Sequence, residues 1–383
     1  MQEEQRIILK MLEEGKITAA EAEALLNALG EREAEGEGGR QEDFWARLEK
    51  QGEEFAEKVE SAVERFYRSL ESKTEALATD KLAGIPKILA RFPFIEFEEA
   101  HEFIQVFRGE LAGDLTVVPT ALSTFNGSIK VRGWSEGGYQ LTVTQRLRGK
   151  DRELARKRLH YIDWVDGETR QDLNLEIPAL DGATVSLELM VPRSRLYAVD
   201  LQSHNGSLQI TDLQGTALEL ETSNGSALLR QVKGESVFGK TNNGSCQMDR
   251  VEADSIQYRL NNGSYRLRVQ AGEFDCTTTN GSVNLQLLAG QGDSTYTVRT
   301  TNGSIAVKLP SLAETGVNVD LRAAVGRVTA DLGPLEISQK ERGGGGGLLV
   351  ARTFNYADQG KKIALKASSS SGSISVRAVK DAT

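Results

Sequence analysis

Residues 203–210 read SHNGSLQI, and the same core returns as SNGSALLR (223–230), NNGSCQMD (242–249), NNGSYRLR (261–268), TNGSVNLQ (279–286) and TNGSIAVK (301–308). The six glycines, Gly206, Gly225, Gly244, Gly263, Gly281 and Gly303, are separated by 19, 19, 19, 18 and 22 residues. A fixed period near 20 is the signature of stacked supersecondary units. FNGS at Phe125–Ser128 and SGS at Ser371–Ser373 place the same corner before and after the regular run.

Counting from each glycine, the second position holds Leu208, Ala227, Cys246, Tyr265, Val283 and Ile305. The fourth holds Ile210, Leu229, Met248, Leu267, Leu285 and Val307. A second apolar pair follows at Leu218 with Leu220, Val237 with Gly239, Ile256 with Tyr258, Phe274 with Cys276, and Tyr296 with Val298. Alternation of this kind is that of a strand with one buried face, so each repeat is two short strands. The sequence puts a second corner between them, at Gly215, Gly234, Ala253 and Gly272.

Two architectures fit. Asn-Gly is the strongest short hairpin signal, because both residues tolerate positive φ, so the repeats could form an antiparallel meander. Alternatively each repeat is one coil of a β-solenoid, with equivalent residues stacked about 4.8 Å apart. Repetition of the Asn and Ser themselves favours the solenoid: a hairpin needs only turn-competent residues, whereas stacked corners benefit from identical amides and hydroxyls bonding along the stack. The expectation is a mainly β fold, a solenoid of about 19-residue coils preceded by an α-helical region. Its structural corners are Asn205–Gly206, Asn224–Gly225, Asn243–Gly244, Asn262–Gly263, Asn280–Gly281 and Asn302–Gly303, with positive φ at every glycine and the asparagines in register.

Upstream the period changes. Residues 1–30 read as a helical hairpin: Ile7, Ile8, Met11 and Leu12 recur at helical spacing, Gly15 stops the first helix, and Thr18 with Glu21 caps the second. Residues 31–43, with many charges and glycines, read as an acidic flexible linker. Residues 44–92 form an amphipathic helical segment whose apolar face carries Phe44, Leu48, Phe55, Val59, Val63, Phe66 and Leu70. Residues 93–383 are assigned to the β-solenoid, with regular repeats at about 200–310. Within that body RGKDRELARKRLHYIDW (148–164) is expected to be an exposed hairpin or a short helix, and ERGGGGGLL (341–349) a flexible loop that lacks the Lys-Ser/Thr of a phosphate-binding loop.

Charge and chemistry narrow the function. The first 80 residues carry 21 Asp+Glu against 11 Lys+Arg, while the remainder is balanced at 34 against 35. Neither half has the clustered basic residues that bind phosphates, so no nucleic-acid partner is expected. Cys246 and Cys276 are the only cysteines and have no CxxC spacing, which makes them buried free thiols and leaves neither a disulfide framework nor a zinc site. His101, His160 and His204 fall outside any GxSxG, HExxH or paired-Cys motif, so no catalytic residue, cofactor or metal is assigned. A charged N-terminus and the absence of a long apolar run give the expectation of a cytoplasmic protein whose membrane contact is only peripheral or through a partner.

The Asn-Gly-Ser corner, Val191-Pro192 leading into the first regular repeat, and EEGKITAAEAEALLNAL (13–29) together resemble the YvlB/LiaX-like bacterial proteins, which carry a short N-terminal helical hairpin domain and an adhesin-type β-repeat domain of unknown function. The resemblance covers most of the chain. It implies a repetitive β-solenoid and a link to cell-envelope stress in Gram-positive bacteria. Ser stands here where the relatives often have Asp, which argues against cation binding along the corner. The expected function is a non-catalytic scaffold or regulatory interaction protein, meeting a protein partner or a second copy of itself through the N-terminal helices. The alternatives are a β-helix carbohydrate-active enzyme, which would need a carboxylate pair in one groove, and a filament-forming structural solenoid.

Overall fold

A computed structural model describes residues 99–379 except 114, 344 and 355. The expectations for residues 1–30, 31–43 and 44–92 lie outside the described residues. Within them the choice between hairpin and solenoid is settled by strand direction. Strands Leu196–Asn205, Leu208–Asn224, Ala227–Asn243, Cys246–Asn262 and Tyr265–Asn280 pair with their neighbours in parallel, never through an Asn-Gly hairpin. Asn205 lies opposite Asn224, Asn224 opposite Asn243, Asn243 opposite Asn262, Asn262 opposite Asn280 and Asn280 opposite Asn302. Each corner therefore sits on the one before it, and the fold is a β-solenoid.

The inward positions fill a continuous core. Leu208, Cys246, Tyr265 and Ile305 are fully buried, as are Leu220, Tyr258, Cys276 and Val298. Packing is matched by size along the stack. A Cβ at Gly239 would fall inside the ring of Tyr258 on the next coil, so this glycine is the room that the tyrosine occupies. The hydroxyl of Tyr258 meets Thr241 at 2.9 Å, and that of Tyr265 donates to the Tyr258 and Thr277 carbonyls at 2.7 and 2.8 Å, so neither buried phenol is left without a partner.

Each coil has two interruptions where the sequence placed one. The parallel ladders skip Thr216, Glu235, Asp254 and Gly272, at or directly after the expected positions Gly215, Gly234, Ala253 and Gly272. A further bend comes three residues before the first three of these, at Asp212, Gln231 and Arg250, which share left-handed φ values of 54°, 53° and 56°. Those three have no common side chain, so nothing in their chemistry marked them. The 18-residue spacing is explained here as well: Asp249 pairs with Arg268 and Val251 with Val269, leaving Arg250 without an opposite number, so the shortened coil lacks the left-handed residue. The long spacing before Gly303 is taken up by residues 288–293, between strands Val283–Leu287 and Ser294–Asn302.

At both ends the coils are out of sequence order. Val117–Asn126 with Ile129–Trp134 forms a coil lying between Leu196–Asn205 with Leu208–Asn224 on one side and Leu175–Ile177 with Ala183–Pro192 on the other. Likewise Lys361–Ser371 with Ile374–Ala378 is inserted between Ser294–Asn302 with Ile305–Leu309 and Thr315–Val325 with Val328–Asp331. Beyond these the pairing turns antiparallel: Tyr139–Gly149 covers Ala183–Pro192 and is covered by Glu99–Leu111, while Gly346–Thr353 covers Thr315–Val325 and is covered by Leu335–Gly343. The glycine run expected to be a flexible loop is thus the tight turn of this last hairpin, with Gly343 opposite Gly346. The charged segment at 148–164 forms a helix at Arg152–Lys157, started by Asp151, whose carboxylate accepts the Leu154 amide at 2.8 Å. It is not wholly exposed: Ala155, Ile162 and Trp164 are buried, and Trp164 meets Tyr139 edge-on at 5.9 Å.

Two pairs of variants test the register and the stacking. Leu267 is 2% exposed and Arg268 points outward, so Leu267→Ala should cost about 2–5 kcal/mol and Arg268→Ala at most about half a kcal/mol in denaturant unfolding. A Cβ at Gly225 would come under 3.0 Å from the Gly206 carbonyl, whereas at Gly234 the nearest atom is 3.4 Å away. Gly225→Ala should therefore destabilise by about 1–3 kcal/mol, with Gly234→Ala neutral or slightly stabilising; equal effects would contradict stacked corners.

Candidate functional site

The Asn-Gly-Ser corners are the feature that the sequence repeats, and the structure brings all twelve of the predicted corner residues into one column. The Asn205 side-chain amide donates to the Asn126 side-chain oxygen at 2.7 Å. The next rungs follow in the same sense: Asn224 to Asn205 at 2.8 Å, Asn243 to Asn224 at 2.8 Å, Asn262 to Asn243 at 2.9 Å, Asn280 to Asn262 at 2.8 Å and Asn302 to Asn280 at 2.9 Å. From Asn205 to Asn280 every amide is a donor to the coil before it and an acceptor from the coil after it. A hydroxyl could not do both at this reach, which is why the residue is asparagine.

The glycines have a different reason from the one expected. Gly244, Gly263 and Gly303 do have positive φ, at 152°, 152° and 157°, but Gly206, Gly225 and Gly281 are not among the positive-φ glycines. What all six share is crowding: a Cβ on any of them would lie under 3.0 Å from the carbonyl oxygen of the corner glycine beneath. Glycine is required by the approach of backbone to backbone along the stack. The Gly225, Gly244, Gly263 and Gly281 amides in turn donate to the Asn243, Asn262, Asn280 and Asn302 carbonyls at 2.9–3.0 Å.

Serine completes the corner. The Ser245 amide donates to Ser226 Oγ and the Ser282 amide to Ser264 Oγ, each at 3.2 Å. A second column of hydroxyls escaped the sequence reading. Three residues before their glycines, Ser203, Thr222, Thr278, Thr300 and Ser369 are buried and donate to the carbonyls of Gly127, Gly206, Gly263, Gly281 and Gly303 at 2.9–3.2 Å. A recurring Ser or Thr at that offset was visible, broken only by Leu260 among the regular repeats. The outlying corners also join: Asn126 heads the amide column, and Ser371 lies opposite Asn302. One further corner, Val325-Gly326-Arg327, has neither Asn nor Ser and could not be recognised by type.

The arrangement spends its polar groups on itself. It presents no titratable side chain. Both free cysteines, Cys246 and Cys276, are buried, and burial pushes their thiols well above the usual range, with the Asp275 carboxylate adding to the effect at Cys276. Such thiols do not ionise near neutral pH and are poor nucleophiles. Among the described residues no group of three or more His, Cys, Asp or Glu is placed to hold a metal ion. His204 stacks on Phe125 at 4.6 Å, the His160 amide donates to Gln145 at 3.0 Å, and the His101 ring lies 3.2 Å from the Gly149 carbonyl. The outward charges form rungs as well, Arg268 with Asp249 at 2.8 Å and Arg299 with Asp275 at 2.9 Å. One acidic neighbourhood stands apart: Glu219 lies opposite Asp200, and its carboxyl is raised above the usual range by partial burial and then by Asp200 and Glu221. Glu219 remains exposed.

The Toastrack DUF4097 family matches residues 124–347, more than half of the chain, and a SHOCT-like domain matches residues 3–34. Two solved structures are similar. One is described as a putative cell adhesion protein from Clostridium sporogenes, with 11% identity and a TM-score of 0.24, covering 73% of this chain and 100% of that one. The other is described as a putative adhesin from Bacteroides fragilis, with 10% identity and a TM-score of 0.39, covering 73% of this chain and 97% of that one. No curated protein matches the chain. No helix among the described residues is long and apolar enough to cross a membrane.

The amide column makes a graded prediction. Asn243 gives one rung and receives another, whereas Asn302 donates one and has Ser371 rather than Asn above it. Asn243→Ala should cost about twice as much as Asn302→Ala, roughly 1–2 against 0.5–1 kcal/mol by denaturant unfolding. Indifference to both changes would mean that the rungs contribute nothing.

Proposed function

The chain belongs to the Toastrack DUF4097 family, and from that premise we propose that it is a non-catalytic scaffold or regulatory interaction protein of the bacterial cell envelope stress response. The observation that carries the proposal is the self-satisfaction of the corner: the residues that the sequence repeats most faithfully bond to one another, so they are there to hold the stack. What remains outward is a long face of strands with exposed side chains partly paired between coils, which suits contact better than chemistry. The link to envelope stress rests on the resemblance to the YvlB/LiaX-like proteins, and the SHOCT-like match at residues 3–34 supports the same affiliation. The two buried free thiols are compatible with a reducing, cytoplasmic setting. Partner contact is assigned to the acidic N-terminal region, where the chain's excess negative charge lies.

The test compares full-length protein with a chain lacking residues 1–80, both shown by circular dichroism to retain the β signal. A partner captured by the first and lost by the second is the expected result. Retention of every partner by the shortened chain would contradict the assignment. Release of reducing ends from cell-wall glycan by the purified full-length chain would transfer the preference to a carbohydrate-active enzyme, with Asp200 and Glu219 the first carboxylates to replace.

A further inference from the structure

Asparagine followed by glycine is the dipeptide most prone to deamidation, and the chain contains seven: Asn126-Gly127 and the six corners of the regular run. The reaction needs only base and water. The glycine nitrogen gives up its proton and attacks Cγ of the preceding asparagine. As the new N–Cγ bond forms, the Cγ–Nδ2 bond breaks, and the side-chain nitrogen takes up a proton and leaves as ammonia. Water then opens the cyclic imide to aspartate or to isoaspartate. Glycine favours the attack because no Cβ hinders its nitrogen and because its backbone adapts readily to the ring.

In the stack both reacting atoms are held. Six of the seven nucleophilic nitrogens are hydrogen-bond donors along the stack. The Gly127 amide donates to the Asn205 carbonyl at 3.1 Å, the Gly225, Gly244, Gly263 and Gly281 amides to the Asn243, Asn262, Asn280 and Asn302 carbonyls at 2.9–3.0 Å, and the Gly303 amide to the Ser371 carbonyl at 2.9 Å. A proton engaged in this way is harder to remove, because the bond stabilises the protonated form. The amide column holds the other atom. Asn205, Asn224, Asn243, Asn262 and Asn280 each donate one rung and accept another, so turning Cγ toward the chain's own backbone breaks two bonds. At the ends of the column one rung is broken: Asn126 accepts from Asn205, and Asn302 donates to Asn280 and faces Ser371.

A modified corner does not fit back into the stack. Ionised aspartate only accepts hydrogen bonds, so in place of Asn243 it would set its oxygen against that of Asn224 with no proton between them. Isoaspartate lengthens the main chain by one carbon, at a corner where even a Cβ on Gly244 would lie under 3.0 Å from the Gly225 carbonyl. We infer that the seven Asn-Gly corners are deamidation sites that the stack keeps closed: each reacts only while its coil is open, and reaction prevents that coil from closing again. The solenoid thereby keeps a one-way chemical record of its own opening. This inference does not rest on the function proposed above.

The test follows each corner peptide of the full-length chain by mass spectrometry after incubation at mildly alkaline pH, once in buffer and once in denaturing urea. The five interior corners should deamidate roughly a hundredfold or more slowly in buffer, since reaction must await opening of the coil. Asn126 and Asn302 should fall between the interior corners and the unfolded chain. Ser371→Asn supplies the missing rung above Asn302 and should slow reaction there to the interior rate. Asn243→Asp, the product of one hydrolysis route, should have a lower urea midpoint than Asn243→Ala, because it adds an opposed oxygen to the lost rung. Equal rates in buffer and in urea, an Asn302 rate unmoved by Ser371→Asn, or an Asn243→Asp chain as stable as Asn243→Ala would each overturn the inference.

Discussion

The structure depends on the absence of one atom. At each corner the carbonyl oxygen of the glycine below occupies the space that a Cβ would need, from Gly206 through Gly303 and on to Gly372. Only glycine lets the coils come to strand-pairing distance at the sharpest point of the path. Once they do, the flanking residues fall into register, asparagine amides meet asparagine amides, and serine and threonine hydroxyls reach the carbonyls of the coil beneath. The apolar positions follow from the same registration, because an offset of one residue would turn every inward side chain out. Corner, ladder and core are therefore one cooperative arrangement, as nearest-neighbour stacking in solenoids requires.

This ordering explains what was legible in the sequence. The period and the alternation of Leu208, Ile210, Leu218 and Leu220 could be read directly, since strand geometry gives each a fixed consequence. The role of the glycines was read only in part: a positive φ accounts for Gly244, while Gly225 needs the neighbouring backbone, which a sequence does not display. The bend at Asp212, Gln231 and Arg250 was hidden because stacking holds three unlike residues in a left-handed conformation that their own preferences do not select. The interleaving of the terminal coils was hidden for another reason. Asn302 pairs with Ser371 across an inserted coil and its antiparallel cover, and no local pattern announces a contact over that separation.

The candidate site teaches the converse lesson. Repeated polar residues ordinarily invite a search for a ligand, whereas the asparagines of these corners bond to one another. Their geometry gives the reason: asparagine recurs because its amide is both donor and acceptor at the spacing of the coils. The proposed function accordingly places contact in what is not repeated, the acidic N-terminal region above all. Among the described residues the solenoid ends in an antiparallel cover at both ends, so the stacking of further coils is stopped by its own chain.

The central claim, that the corners are interlocked between coils rather than being solvent-exposed turns, is tested most directly by native-state hydrogen exchange resolved to single amides. Gly225, Gly244, Gly263 and Gly281 are only half-buried, yet the amide of each donates to the next coil. They should exchange as slowly as the amides of the buried strand residues Leu229, Met248 and Leu267, through the global unfolding of the stack. Corner amides that exchange as fast as those of the connecting residues 288–293 would contradict the account.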